Sequence, residues 1–183
     1  MKGVISNQLL DTLEKRVELH MQEAVSRFQN MTEQQLLAPA ANGGWGIAQC
    51  LDHLNSYGHF YLPEIKKAMD AHRQEGSRGV FKSSWLGAYF TRMMEPGTGK
   101  RKMKAMKGHI PTANLDARAV VAEFIRQQEI LQDYLQQAMK VDLNSIRIPV
   151  SIAKWIRLKL GDVFQFIIAH NERHVLQAKR NVA

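Results

Sequence analysis

Trp45-Gly46-Ile47-Ala48-Gln49-Cys50-Leu51-Asp52-His53-Leu54 opens a helix and puts a histidine on its apolar face. Gly46 reads as the N-cap, a little weaker there than Ser or Asn. The helix should span about residues 47–72. Cys50, His53, Tyr57 and Phe60 recur at steps of three and four, which is one helical stripe. Pro63 falls inside this span, so a kink or break is expected there.

The same periodicity extends outward. Leu10, Leu13, Val17, Met21, Ala24 and Phe28 predict a first helix over residues 6–28. Residues 32–44 hold Pro39 and Asn42-Gly43-Gly44, which is loop chemistry. A short amphipathic piece at 81–94 is stopped by Glu95-Pro96-Gly97, and 97–114 reads as an irregular crossover connection. Val121, Phe124, Gln128, Leu131 and Leu135 mark a third long helix over 115–140. Residues 144–150 read as extended or irregular around Pro149, and a short piece with Trp155 and Ile156 follows. The last helix starts near Gly161-Asp162, with Asp162 as its expected cap, and ends near residue 180. No convincing sheet and no internal repeat are evident. Four helices of about twenty residues with two long connections predict an all-α four-helix bundle with crossovers, one domain over residues 1–183.

Composition agrees with that reading. Of 183 residues, 45% are hydrophobic, enough for a sizeable core and too many for disorder. The single cysteine, Cys50, excludes a disulfide framework and a multi-cysteine zinc site. The first residues, Met1 to Gln8, soon become polar and carry no apolar run, so no secretory signal is expected. The longest uncharged run, 34–51, is broken by proline and glycines, so no membrane span is expected. These features predict a cytoplasmic protein.

His170-Asn171-Glu172-Arg173-His174 sets two imidazoles one turn apart on one face. Val163, Ile167, His170, His174 and Ala178 form a continuous stripe, so both rings should face the bundle interior, as His53 does. His53 lies about six residues inside the start of its helix and His174 about six inside the end of the last. At 1.5 Å per residue both stand roughly 9 Å from a helix end, hence at one level if the helices are antiparallel. Two readings stay open. The rings can be core histidines bonded to backbone groups, or they can form a three-nitrogen site that holds a divalent metal and leaves one position open. Burying neutral imidazoles without a metal requires partners for their ring nitrogens.

Gly-Gly-Trp-x-Ile-x-x-x-Leu-x-His-Leu at 43–54, followed by His-x-x-x-His at 170–174 and Gln177, resembles the DinB/YfiT-like superfamily. The resemblance runs along the whole chain. It implies a four-helix bundle and a divalent metal held by His53, His170 and His174. Gly46 departs from the pattern, since relatives commonly carry a small hydroxyl residue after the tryptophan. Proteins of this superfamily include thiol-dependent transferases and isomerases.

Three neutral imidazoles suit zinc, nickel or iron. Such an ion lowers the pKa of a bound water towards roughly 7 and deprotonates a bound thiol. Hydrolysis usually needs a base nearby. Asp52 is rotated about 100° from His53, and Glu172 lies across the helix from its two histidine neighbours. Glu14, Glu18, His20 or Glu129 serve only if they face inward. The expectation is therefore a metal-dependent, thiol-dependent S-transferase acting on a small molecule. A metal-dependent hydrolase and a non-catalytic metal-binding or stress-associated bundle are the alternatives. Tyr57 is a packing residue or a hydrogen-bond donor to a ligand, and Cys50 a buried small apolar residue.

The net charge of +8 is concentrated in residues 82–107, where seven basic residues stand against Glu95 alone. Lys100-Arg101-Lys102-Met103-Lys104-Ala105-Met106-Lys107 lacks aromatics for base stacking, so nucleic acid is not the expected partner. The segment reads as a solvated loop, or as a rim that attracts an anionic substrate or thiol. The sequence leaves the oligomeric state open, a homodimer included.

Overall fold

Four long helices bury the stripes that their periodicity marks. The structure, a computed structural model, describes residues 2–41, 43–72, 79–97 and 105–182. A short strand β1 (Val4–Ile5) leads into α1 (Ser6–Ser26); α2 (Glu33–Leu37) is a single turn and a half. Helix α3 (Ile47–Ala71) is followed by β2 (Val80–Phe81) and α4 (Trp85–Met94). Helix α5 (Ala117–Ala138), the hairpin β3 (Arg147–Val150) and β4 (Ala153–Lys159), and α6 (Leu160–Lys179) complete the order.

Helix α5 packs between α1 and α3, and α6 packs between the same two on the other side. The order around the bundle is thus α1, α5, α3, α6. Helices α1 and α3 sit on one diagonal and α5 and α6 on the other, whereas α3 and α5 are neighbours joined by the longest connection, which carries β2 and α4. Glu14 meets Gln136 and Glu18 meets Gln132, so α1 and α5 are antiparallel. Tyr61 packs edge-on against Phe166 while His53 meets His174, so α3 and α6 are antiparallel as well.

The interior divides along the bundle axis. One apolar cluster contains Leu13, Tyr61, Leu131 and Ile167; the other contains Phe28, Leu51, Phe124 and Val175. Between them each long helix contributes buried polar residues: His20, His53 with Asn55, Gln127 with Gln128, and His170 with Asn171. Asn171 donates to Gln128 at 3.2 Å, and Asn55 donates to the Val120 carbonyl at 2.9 Å. Buried polar atoms need such partners. The polar layer gives the four helices a common register.

Several expectations require correction. Helix α3 runs unbroken through Pro63. Pro63 and His59 are both exposed, so the carbonyl that loses its donor lies on the solvent side. The buried position on α1 is His20 rather than Met21, which is only half-buried. Two antiparallel strand pairs exist, β1 with β2 and β3 with β4, where no sheet was expected. Strands of two to seven residues carry little periodicity, and Pro149 is tolerated in a two-stranded ladder because one side of each strand is free.

Asp162 does not cap α6. It is fully buried inside that helix's first turn and reaches across to α4. Its carboxylate accepts from the Ser83 hydroxyl, from the Ser84 amide at 3.1 Å and from the Ser84 hydroxyl at 2.6 Å. Ser84 Oγ in turn accepts from the Gly87 amide and caps α4. Gly87 packs so tightly on Asp162 that a Cβ there would lie 2.1 Å from its Cγ. Gly46 is explained in the same way. As the N-cap of α3 it sits where a Cβ would meet the Ala38 carbonyl oxygen at 2.3 Å.

Candidate metal centre

His53 enters from the second turn of α3, and His170 and His174 from the last three turns of α6. One nitrogen from each imidazole lies within 4.8 Å of the other two. His53 Nε2 and His170 Nε2 are 3.1 Å apart. Tetrahedral ligands with bonds of 2.0–2.1 Å sit roughly 3.3 Å from one another, so a small closure suffices. His53 and His170 are buried, and His174 is half-buried. Burial pushes all three histidines below their ordinary pKa, His174 to about 3. They are neutral at pH 7, the form that ligates a metal.

Hydrogen bonds set the tautomers. His53 Nδ1 donates to the backbone carbonyl of His109 at 2.6 Å. His174 Nδ1 donates to the Gln177 side chain at 3.1 Å. In both rings the lone pair is thereby left on Nε2. Outer partners of this kind orient ligand imidazoles in metal sites. The three-histidine cluster is compatible with a divalent metal.

His109 was not singled out in the sequence. It belongs to a short 3-10 turn, Lys107–His109, in the crossover connection, where no helical phase marks it. Its ring stacks on Tyr57 at 3.8 Å between centroids. Ser56 donates its only hydroxyl proton to the His53 carbonyl at 2.7 Å. His109 Nδ1 must therefore donate to Ser56 Oγ, and its Nε2 accepts from Ser151 on the hairpin turn. A carbonyl contribution leaves no residue-type signature, so only the fold reveals it.

The sequence model of the DinB superfamily matches residues 16–178. The chain belongs to the DinB superfamily. No curated protein and no solved structure gives a match that adds to this assignment.

In this DinB-superfamily chain the histidines form one end of a cavity of about 680 Å³. Phe90, Met93 and Phe166 give it an apolar wall, and Val150 and Leu158 of the hairpin close another side. Trp45 packs against both His53 and His174. Tyr57 touches His53 and His170, and burial pushes its phenol up to about 12. It stays protonated at neutral pH and is a hydrogen-bond donor there.

The carboxylates considered as bases are all elsewhere. Glu14 and Glu18 bond to glutamines of α5 on the surface, and Glu129 is exposed. Asp52 accepts from the Thr112 amide, and Glu172 pairs with Arg16. His20 is buried in the polar layer beside Gln128, away from the cavity. Cys50 is fully buried against the Trp45 carbonyl, and burial pushes its thiol up to about 12. Lys100 to Lys104 of the basic segment lie outside the described residues; Ala105 and Met106 line the cavity. Among the described residues, no helix is long and apolar enough to cross a membrane.

Proposed function

We propose that His53, His170 and His174 hold a divalent metal and that the chain is a metal-dependent enzyme transferring a low-molecular-weight thiol to a small electrophile. The observation that carries the choice of reaction is the cavity lining. Among the described residues it contains no Asp or Glu. Hydrolysis usually draws on a base within hydrogen-bond reach of the nucleophile, and among the described residues no carboxylate lines the cavity to act as one. A bound divalent ion supplies Lewis acidity that lowers the pKa of a thiol or a water.

The chain's own residues then have definite tasks. The His109 carbonyl and Gln177 fix the rings of His53 and His174. The apolar walls exclude bulk water. Tyr57, held protonated by burial, donates a hydrogen bond to a substrate heteroatom. In the transfer, the thiol sulfur bonds to the electrophilic carbon and the leaving group departs with the electron pair of its bond. The thiol proton passes to solvent.

Elemental analysis of untagged protein tests the site. The expected result is about one divalent ion per chain, lost in His170→Ala with the helical circular dichroism kept. A panel of low-molecular-weight thiols with a chloronitroaromatic electrophile tests the reaction. Turnover that depends on both thiol and metal is expected. Absence of metal from the parent protein overturns the site, and metal-dependent ester hydrolysis without thiol turnover overturns the reaction.

A further inference from the structure

Among the described residues that line the cavity, two carry a charged side chain, Arg173 and Arg180, and both are cationic. Arg173 lies on α6 and Arg180 is its C-cap, seven residues and thus roughly 10 Å further along the same face, so the two flank His174 and Gln177. Arg173 is half-buried and Arg180 is exposed, so they stand towards the mouth, with the buried His53 and His170 inside.

Neither arginine forms an ion pair among the described residues. Arg173 donates to the Met93 carbonyl at 3.3 Å and Arg180 to the Leu176 carbonyl at 3.2 Å. The acids next in sequence to Arg173 and to the lining residues Met94 and Pro96, Glu172 and Glu95, are taken elsewhere. Arg16 on α1 binds Glu95, beside Pro96 of the cavity wall, through two contacts of 3.1 and 3.2 Å. The same guanidinium holds Glu172, the neighbour of Arg173, at 2.6 Å. One residue thus draws both carboxylates away from the cavity. Lys179, next to Arg180, is paired with Glu23.

We infer that this cavity takes an organic carboxylate with an apolar body, its carboxylate on Arg173 and Arg180 and its body against Phe90, Met93 and Phe166. Guanidinium groups are suited to this, since their fork of donors matches a carboxylate. The inference deepens the reading of the cavity as a substrate site by naming the substrate's charge and shape. The arginines act without the metal, so the two readings fail separately.

The test is calorimetric titration with 4-phenylbutyrate and with 4-phenylbutan-1-ol, which share a body and differ in charge. It is run on the protein as purified and after chelator treatment. The carboxylate is expected to bind roughly tenfold more tightly than the alcohol in both preparations. In Arg173→Gln/Arg180→Gln the preference should fall to about threefold or less, with metal content unchanged. Equal binding of the two probes in the parent protein overturns the inference. So does a preference that survives the double substitution, or one that disappears on chelation. If the parent protein holds no metal yet shows an arginine-dependent preference, the inference stands and the metal site falls.

Discussion

His53 on α3 donates its Nδ1 proton to the backbone carbonyl of His109, 2.6 Å away and 56 positions later in the chain. The crossover connection therefore reaches the candidate centre through its main chain. The His109 ring fixes that carbonyl in place, because it is stacked on Tyr57 and bonded to Ser56 and Ser151. Helix α3, the connection and the β3–β4 hairpin are joined at one residue.

Substituting His109 should loosen the site without unfolding the bundle. His109→Ala removes the stacked ring and both serine bonds, and leaves the carbonyl on a less constrained loop. Loss of outer partners typically lowers metal affinity about 10–100-fold. Chelator competition should show a fall in that range, with unchanged circular dichroism. Unaltered affinity would mean that the loop is held by other contacts.

Metal removal should be visible in thermal stability. A ligand that binds only the folded state at about 100 times its dissociation constant adds about 2.7 kcal/mol. For a chain of this size that corresponds to roughly 5–10 °C. The parent protein should lose that much on chelation, whereas His170→Ala should melt at the same temperature with and without chelator. Differential scanning fluorimetry decides it, and equal chelator sensitivity in both would rule out His170 as a ligand.

Gly87→Ala should destabilise the protein by about 1–3 kcal/mol through overpacking. The added methyl meets the Asp162 side chain, whose three bonds to Ser83 and Ser84 keep it from yielding. Because α4 supplies Phe90 and Met93 to the cavity wall, binding there should weaken too. Gly79→Ala is the control, since nothing lies within 4 Å of its added Cβ. Urea unfolding should separate the two variants clearly.

These contacts show where sequence reading reaches and where it stops. The α5 stripe from Val121 to Leu135 is buried residue for residue, because a 3.6-residue period records one face against one core. His53, His170 and His174 were legible for the same reason. Asp162 was misassigned because an acid near a helix start looks like a local cap, and its partners Ser83 and Ser84, just before α4, are 79 and 78 positions away. Gly46 resembled a weak cap until the Ala38 carbonyl showed why a side chain is excluded. His20 was passed over as a core position because it is polar. Its burial depends on Gln128 of another helix, which no pattern within α1 can show.

His20 also makes acid stability predictable in sign. Burial, reinforced by Arg16, pushes its pKa down to about 3 from an ordinary 6.5. As pH falls below 6.5 the unfolded chain takes up the proton first. The stability linked to His20 is thus complete above about pH 6.5 and is lost progressively towards pH 3. The loss approaches roughly 1.4 kcal/mol per pH unit once the unfolded imidazole is charged. His20→Gln keeps a polar group beside Gln128 and removes the titration. The variant will itself differ in stability at pH 7, so the readout is the slope. Urea unfolding between pH 6 and 4 should give a shallower fall for His20→Gln than for the parent, by about one proton's worth. Carboxylates such as Glu123, held down to about 2 chiefly by its hydrogen bonds to Arg126, steepen both curves equally and cancel in the difference. Identical slopes would show that His20 is protonated in the folded bundle, and the polar layer would then have to hold a charge.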